Sequence, residues 1–180
     1  TRRAGRAGAR LTGADQPLLQ SDNSLLFDGV SDFLQTSAFT LNQPCTYYLL
    51  CKQVTWTNGD VICNGVSATC AVVQAPAASS PNLRMNAGSG APDNAGLALD
   101  TYGVISAVFN GAASSLQINN GALATGNSGA NNPGGFTLNS AAVTFSNAQY
   151  KETIVFPSAH DSATRRTVVN YLGQVGNISV

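Results

Sequence analysis

The sequence predicts an all-β protein: a two-sheet antiparallel sandwich closed by one C-terminal helix. Three observations carry that expectation. Charged residues make up only 10% of the 180-residue chain, against about 25% in an average soluble domain. Glu152 is the one glutamate, beside 17 asparagines and 18 glycines. Glu, Lys and Arg favour helices while Gly and Asn favour turns, so a helical bundle, a coiled coil and a charged disordered chain are excluded. The second observation is a regular alternation of short apolar runs with turn signals, which predicts about ten to twelve short strands. The third is that only the last stretch carries a helical period.

The elements follow in order. Leu25–Phe27 and Phe33–Leu34 flank Asp28-Gly29, a hairpin signal. CTYYLLCKQVTW at 45–56 is apolar on both parities, Cys45, Tyr47, Leu49 and Cys51 on one and Tyr48, Leu50 and Val54 on the other. A strand of that kind is central and covered on both faces. Thr57-Asn58-Gly59-Asp60 is a turn, and DVICNG at 60–65 is expected to return as its hairpin partner. CAVVQA at 70–75 and LRMNAG at 83–88 are strands, and APDNAG at 91–96 is a turn. Residues 97–110 form one long strand or two broken near Gly103, and SSLQIN at 114–119 returns after Asn110-Gly111.

From Asn119 to Gly135 five Asn and five Gly fall within 17 residues, the composition of a long surface loop. FTLNSAAVTF at 136–145 and KETIVF at 151–156 are strands, with Ile154 and Phe156 on one face and Val155 on the other. The helix begins at Ser158 or Asp161 as N-cap and carries Val168, Val169, Leu172 and Val175. Gly173 and Gly176 stand where a C-cap is expected.

The formal net charge of zero is uneven. Arg2, Arg3, Arg6 and Arg10 lie in the first ten positions, and residues 11–180 hold 5 basic and 9 acidic side chains. Residues 1–16 are therefore expected to be a basic arm, solvated or docked along a neighbouring chain, and 17–180 a single domain. Nucleic acid is not the expected partner, because no aromatic is interleaved to stack on bases. No apolar run reaches the roughly 18 residues of a membrane span.

The cysteines follow C-x5-C-x11-C-x6-C, which fits no zinc ribbon or finger. Cys45, Cys51, Cys63 and Cys70 are expected to be small buried hydrophobes, with one or two disulfides as the other reading. Paired carboxylates for glycoside hydrolysis are missing, since no two of the eight aspartates share a face of a confident strand with Glu152 or each other. His160 sits at a loop-to-helix junction without a nucleophile elbow. No enzyme site is expected, and no cofactor. Calcium is the exception left open, with Asp28, Asp32, Asp60 and Asp93 as oxygen donors, although turn roles account for each. Trp56 and Tyr102 are the aromatics placed to stack on sugar rings, with Asn58 and Asp60 on the adjoining turn. Core packing is the other reading for both rings.

SLLFDGVSDFLQTS, through Leu26, Phe27, Asp28, Gly29, Asp32 and Phe33, resembles the opening signature of laminin-G-like, concanavalin A-like jelly-roll domains. CTYYLLCKQVTW, VISAVFNGAASSLQINNG and the closing KETIVFPSAHDSATRRTVVNYLGQVGNIS continue the likeness over residues 17–180. Asn139 departs from it, because relatives often have Gly there. The resemblance implies a jelly-roll sandwich. The variant with a terminal helix is similar to domains of bacteriophage virion proteins. That implies a non-enzymatic structural protein of the virion, in capsid decoration or tail and receptor attachment. Its implied partners are other virion proteins, further copies of itself and a host surface glycan. The alternative is a carbohydrate-binding module of a bacterial surface or secreted protein, located extracellularly or at the cell surface.

Overall fold

The computed structural model describes residues 15–76, 78–140 and 143–180. Among these, thirteen strands form two antiparallel sheets, and one α-helix follows them. The arm's Arg2, Arg3, Arg6 and Arg10 lie outside the described residues.

The first sheet contains β1 (Leu18–Leu19), β2 (Leu25–Asp28), β4 (Cys45–Gln53), β9 (Gly103–Phe109), β10 (Ser114–Ile118), β11 (Leu123–Gly126) and β13 (Asn147–Phe156). Their order is β1-β2-β13-β4-β9-β10-β11. The second contains β3 (Leu34–Gln35), β5 (Val61–Asn64), β6 (Ala71–Gln74), β7 (Leu83–Asn86), β8 (Gly90–Asn94) and β12 (Thr137–Leu138). Their order is β3-β12-β5-β6-β7-β8.

The main core lies between the sheets. Cys45, Tyr47, Leu49 and Cys51 of β4 meet Cys63, Val72, Leu83 and Met85 of the second sheet. The other face of β4 is also covered, as its double apolar pattern requires. Tyr48 and Leu50 form a second buried cluster with Val104 and the helix residues Val169 and Leu172. Burying each of these aliphatic side chains contributes about 1.5–3 kcal/mol. β13 divides as its alternation demands, Ile154 and Phe156 toward the helix and Val155 toward the main core.

The helix, α1 (Ser162–Gly176), starts at Asp161, whose carboxylate accepts from Thr164 N at 2.8 Å. It runs through Gly173 and Gly176 rather than stopping there, and Asn177 ends it in the left-handed conformation. The two glycines serve close approach instead. A Cβ on Gly173 would press on Val180, and one on Gly176 on Leu50. Val175 stays exposed, off the packed face.

Several connections differ from the sequence expectation. Asp28-Gly29 does not close a hairpin. β2 pairs with β1 and β13, while β3 pairs with β12, so the turn carries the chain across from one sheet to the other. Asp28 Oδ1 accepts from the amides of Val30, Ser31 and Asp32 and holds that crossing. The Thr57–Asp60 turn likewise leads from β4 into β5 of the opposite sheet. Residues 90–94 form β8 rather than a turn. It is an edge strand, and Pro92 is tolerated because it falls at the register irregularity opposite Arg84–Asn86, outside the paired positions. The Asn/Gly-rich stretch contributes β11, paired along β10. Gly103 begins β9, so residues 97–102 stand outside the strand. Of the described residues among 136–145 only Thr137 and Leu138 form a strand, and Val143 projects into solvent.

Candidate functional site

The sequence-selected residues occupy two places. Trp56 is half-buried at the end where β4 leaves the first sheet, and its Nε1 donates to Asn82 O at 3.1 Å. Asn82 leads on to Asp93, which Arg84 clamps through two contacts of 2.6 and 2.7 Å. Asn58 is exposed at the turn. The Asp60 carboxyl is pushed up by burial, against a hydrogen bond from Thr57 that lowers it.

Tyr102 belongs to the first sheet's outer face. Its hydroxyl lies 3.2 Å from Asp22 Oδ2 and 3.1 Å from Gln149 Oε1. The ammonium groups of Lys151 and Lys52 stand 4.6 and 5.4 Å from its ring centre. The Ser24 hydroxyl, 2.6 Å from Asp22, is foremost in holding that carboxyl down at about 2. Hydrogen bonds thus tie Trp56 to the second sheet's turn and Tyr102 to the first sheet.

The structure also forms a groove on the outer face of the second sheet, from residues that sequence reasoning did not single out as ligand-binding. β12 lies between β3 and β5, and the register sets Gln35, Thr137 and Asn64 side by side. Their neighbours Leu34, Leu138 and Cys63 turn into the core, so this row faces outward. Gln35 Nε2 donates to Thr137 Oγ1 at 3.1 Å. Asn64 Oδ1 accepts from Gly65 N and Cys70 N at 2.8 and 3.0 Å, which folds the 65–69 loop up as one wall. Val66 N and Ser67 N, both 2.9 Å from Pro133 O, anchor that wall to the 127–135 segment. The groove is about 540 Å³, and besides the row its lining includes Phe33, Ser67 and Ser140. The Phe33 ring centre lies 6.4 Å from that of Phe145. Among the described residues no charged side chain lines the groove. An aromatic ring among amides and hydroxyls is the surface chemistry that a neutral, polyhydroxylated ligand can match.

Among the described residues no three His, Cys, Asp or Glu side chains gather as a metal site. Asp28 and Asp32 are occupied with local backbone amides, and Asp93 with Arg84. Glu152 accepts from the Tyr171 hydroxyl at 3.1 Å. All four cysteines are free thiols in the core.

No protein-family profile matches the chain, and a search of curated proteins finds no match. Solved structures do match. One Trypanosoma rangeli sialidase structure superposes with a TM-score of 0.63 at 14% identity, over 88% of this chain and 28% of that one. The same enzyme in complex with sialic acid gives 0.60 at 12%, over 88% and 29%. The binding domain of botulinum neurotoxin DC in complex with SialylT gives 0.62 at 11%, over 87% and 44%. This chain therefore spans less than half the length of each. At such identities the likeness is one of fold, a β-sandwich consistent with the jelly-roll architecture.

Proposed function

We propose that this chain is a carbohydrate-binding module that holds glycans without turning them over, in the uncharged groove between β3, β12 and β5. The observation that carries the reading is the row Gln35–Thr137–Asn64 on the outer face of the sheet, flanked by the Phe33 ring and walled by the 65–69 loop. The fold neighbours support it in kind, since their descriptions include complexes with sialic acid and SialylT. The setting implied by the resemblance, attachment of a bacteriophage virion to a host surface, would use the same activity. So would a bacterial surface or secreted protein.

The test is a broad glycan array of neutral and acidic sugars, followed by titration of each hit. Binding to neutral glycans is expected, with Gln35→Ala or Thr137→Val weakening it about tenfold, the value of one lost hydrogen bond. Trp56→Ala and Tyr102→Ala should leave it unchanged. Binding lost only on Trp56→Ala or Tyr102→Ala would move the site to those rings and overturn the groove. An array without hits, or release of cleaved sugar, would overturn the reading itself.

A further inference from the structure

Arg165 is 8% exposed, one of the few charged side chains buried in this protein. Burying a guanidinium is costly unless an anion accompanies it. Arg84 has Asp93 and Lys151 has Asp22, but among the described residues no carboxylate lies within 4.0 Å of Arg165. Its acceptors are neutral: Gln117 Oε1 at 3.4 Å from Nε and His160 O at 2.9 Å from Nη1. A guanidinium carries five N–H donors, so most of its capacity is unused by the protein. Nη2 has no protein acceptor among the described residues.

Arg165 opens onto a pocket of about 250 Å³ between β10 and α1, lined also by Gln117, Asn120, Ser162 and Arg166. Arg166 is exposed and has no ion pair among the described residues. The amides of Gln117 and Asn120 are fixed as walls by bonds to Gly121 O and to Asn170 and Val180 O. Asp161, four residues before Arg165, feels its charge but is exposed, makes no ion pair with it and caps the helix through Thr164 N. The pocket therefore combines two guanidiniums, a hydroxyl and two amides, with no acid in its lining among the described residues.

We infer that this pocket binds a tetrahedral oxyanion, a phosphate or sulfate group, which places a negative charge in direct contact with Arg165. Guanidinium forks match such oxygens with paired hydrogen bonds. The pocket lies on the first sheet's outer side, apart from the groove on the second, and the inference does not depend on glycan binding there.

The experiment follows backbone amide shifts and melting temperature while inorganic phosphate, inorganic sulfate or a sulfated disaccharide replaces chloride at constant ionic strength. Saturable shifts at Gln117, Asn120, Ser162 and Arg166, with a rise in melting temperature, are expected. Arg166→Gln, on an exposed residue that the fold does not need, should weaken the affinity about tenfold. Gln117→Glu places a carboxylate beside Arg165, so it should abolish the response and raise the melting temperature in chloride. Response to the inorganic ions indicates a free oxyanion, and response to the disaccharide alone indicates a group carried on a sugar. No saturable shift with any of the three, or an unchanged response in Gln117→Glu, would overturn the inference.

Discussion

Gln74 Nε2 donates to Gln53 Oε1 at 3.0 Å, joining β6 of one sheet to β4 of the other through two fully buried amides. Gln53 Nε2 donates in turn to Leu97 O, and Gln74 accepts from Thr57 N at 2.6 Å and donates to Thr55 O. The pair thereby fixes the 54–60 segment that carries Trp56 and crosses between sheets. Replacing Gln74 with Leu would strand Gln53 Oε1 away from water and take a partner from Thr55 O and Thr57 N, which belong to exposed residues. A loss of about 1–3 kcal/mol is expected in urea unfolding, since an unmet buried partner is costly. A cycle with Gln53→Leu should show coupling above about 0.5 kcal/mol, because the two side chains form one network.

The fold class was legible because period and composition are properties of single segments. Tyr48 and Leu50 on one parity and Tyr47 and Leu49 on the other reveal a strand covered twice, and the helix supplies the second cover. Which strands pair was not legible. Asp28-Gly29 and Asn58-Gly59 are good tight turns, but turn chemistry is local, and the same turn serves a hairpin or a crossing. Pro92 reads as a strand breaker until β8 is known to be an edge. The groove was hidden for a related reason. Gln35, Asn64 and Thr137 come from segments far apart in the chain and none is a residue type that draws notice alone, while Phe33 reads only as part of an apolar run and of the opening signature. Aromatics beside turns drew notice instead, and Trp56 proves to have its N–H spent on Asn82.

Asn139 is held at φ 70°, fully buried, directly after β12. Its Nδ2 donates to Asp32 O at 3.1 Å, and its Oδ1 accepts from the Tyr150 hydroxyl at 3.2 Å and from Ser146 Oγ. The left-handed backbone is one that glycine adopts freely, and the side-chain bonds show what asparagine adds. Asn139→Gly keeps the backbone and loses the bonds, so a cost of about 1–3 kcal/mol is expected. Asn139→Ala should be about 1 kcal/mol worse still, because a Cβ strains that conformation. Urea midpoints of the two variants check the order.

The four thiols should be silent in the folded protein. Burial pushes Cys51 well above the ordinary thiol range and Cys63 up to about 12, so neither presents a thiolate. Cys45 is held lower by its contact with Cys70, yet it is buried with no exposed surface. A disulfide-exchange reagent is expected to label none of the four under native conditions and all four in guanidinium. Rapid native labelling, or fewer than four thiols after unfolding, would contradict the free, buried state.

His160 gives the protein a pH response in the mildly acidic range. Its ring centre lies 4.4 Å from that of Phe156, the planes tilted by 47°, and its Nδ1 lies 2.9 Å from the Tyr48 hydroxyl, which burial pushes up to about 12. Burial and the neighbouring Arg165 lower the His160 pKa, and Asp161 acts in the opposite sense. The unfolded chain takes up its proton near pH 6.5, while the folded chain resists until lower pH. Between those two values the unfolded state binds more protons, so stability falls as pH drops and levels off once the folded ring is protonated. Asp22, held down at about 2, stays ionised throughout this window and does not contribute to the slope. Urea midpoints measured from roughly pH 8 to pH 5 should decline for the native chain and decline less for His160→Gln, which removes the titrating ring. Equal slopes in the two proteins would show that some other group carries the response.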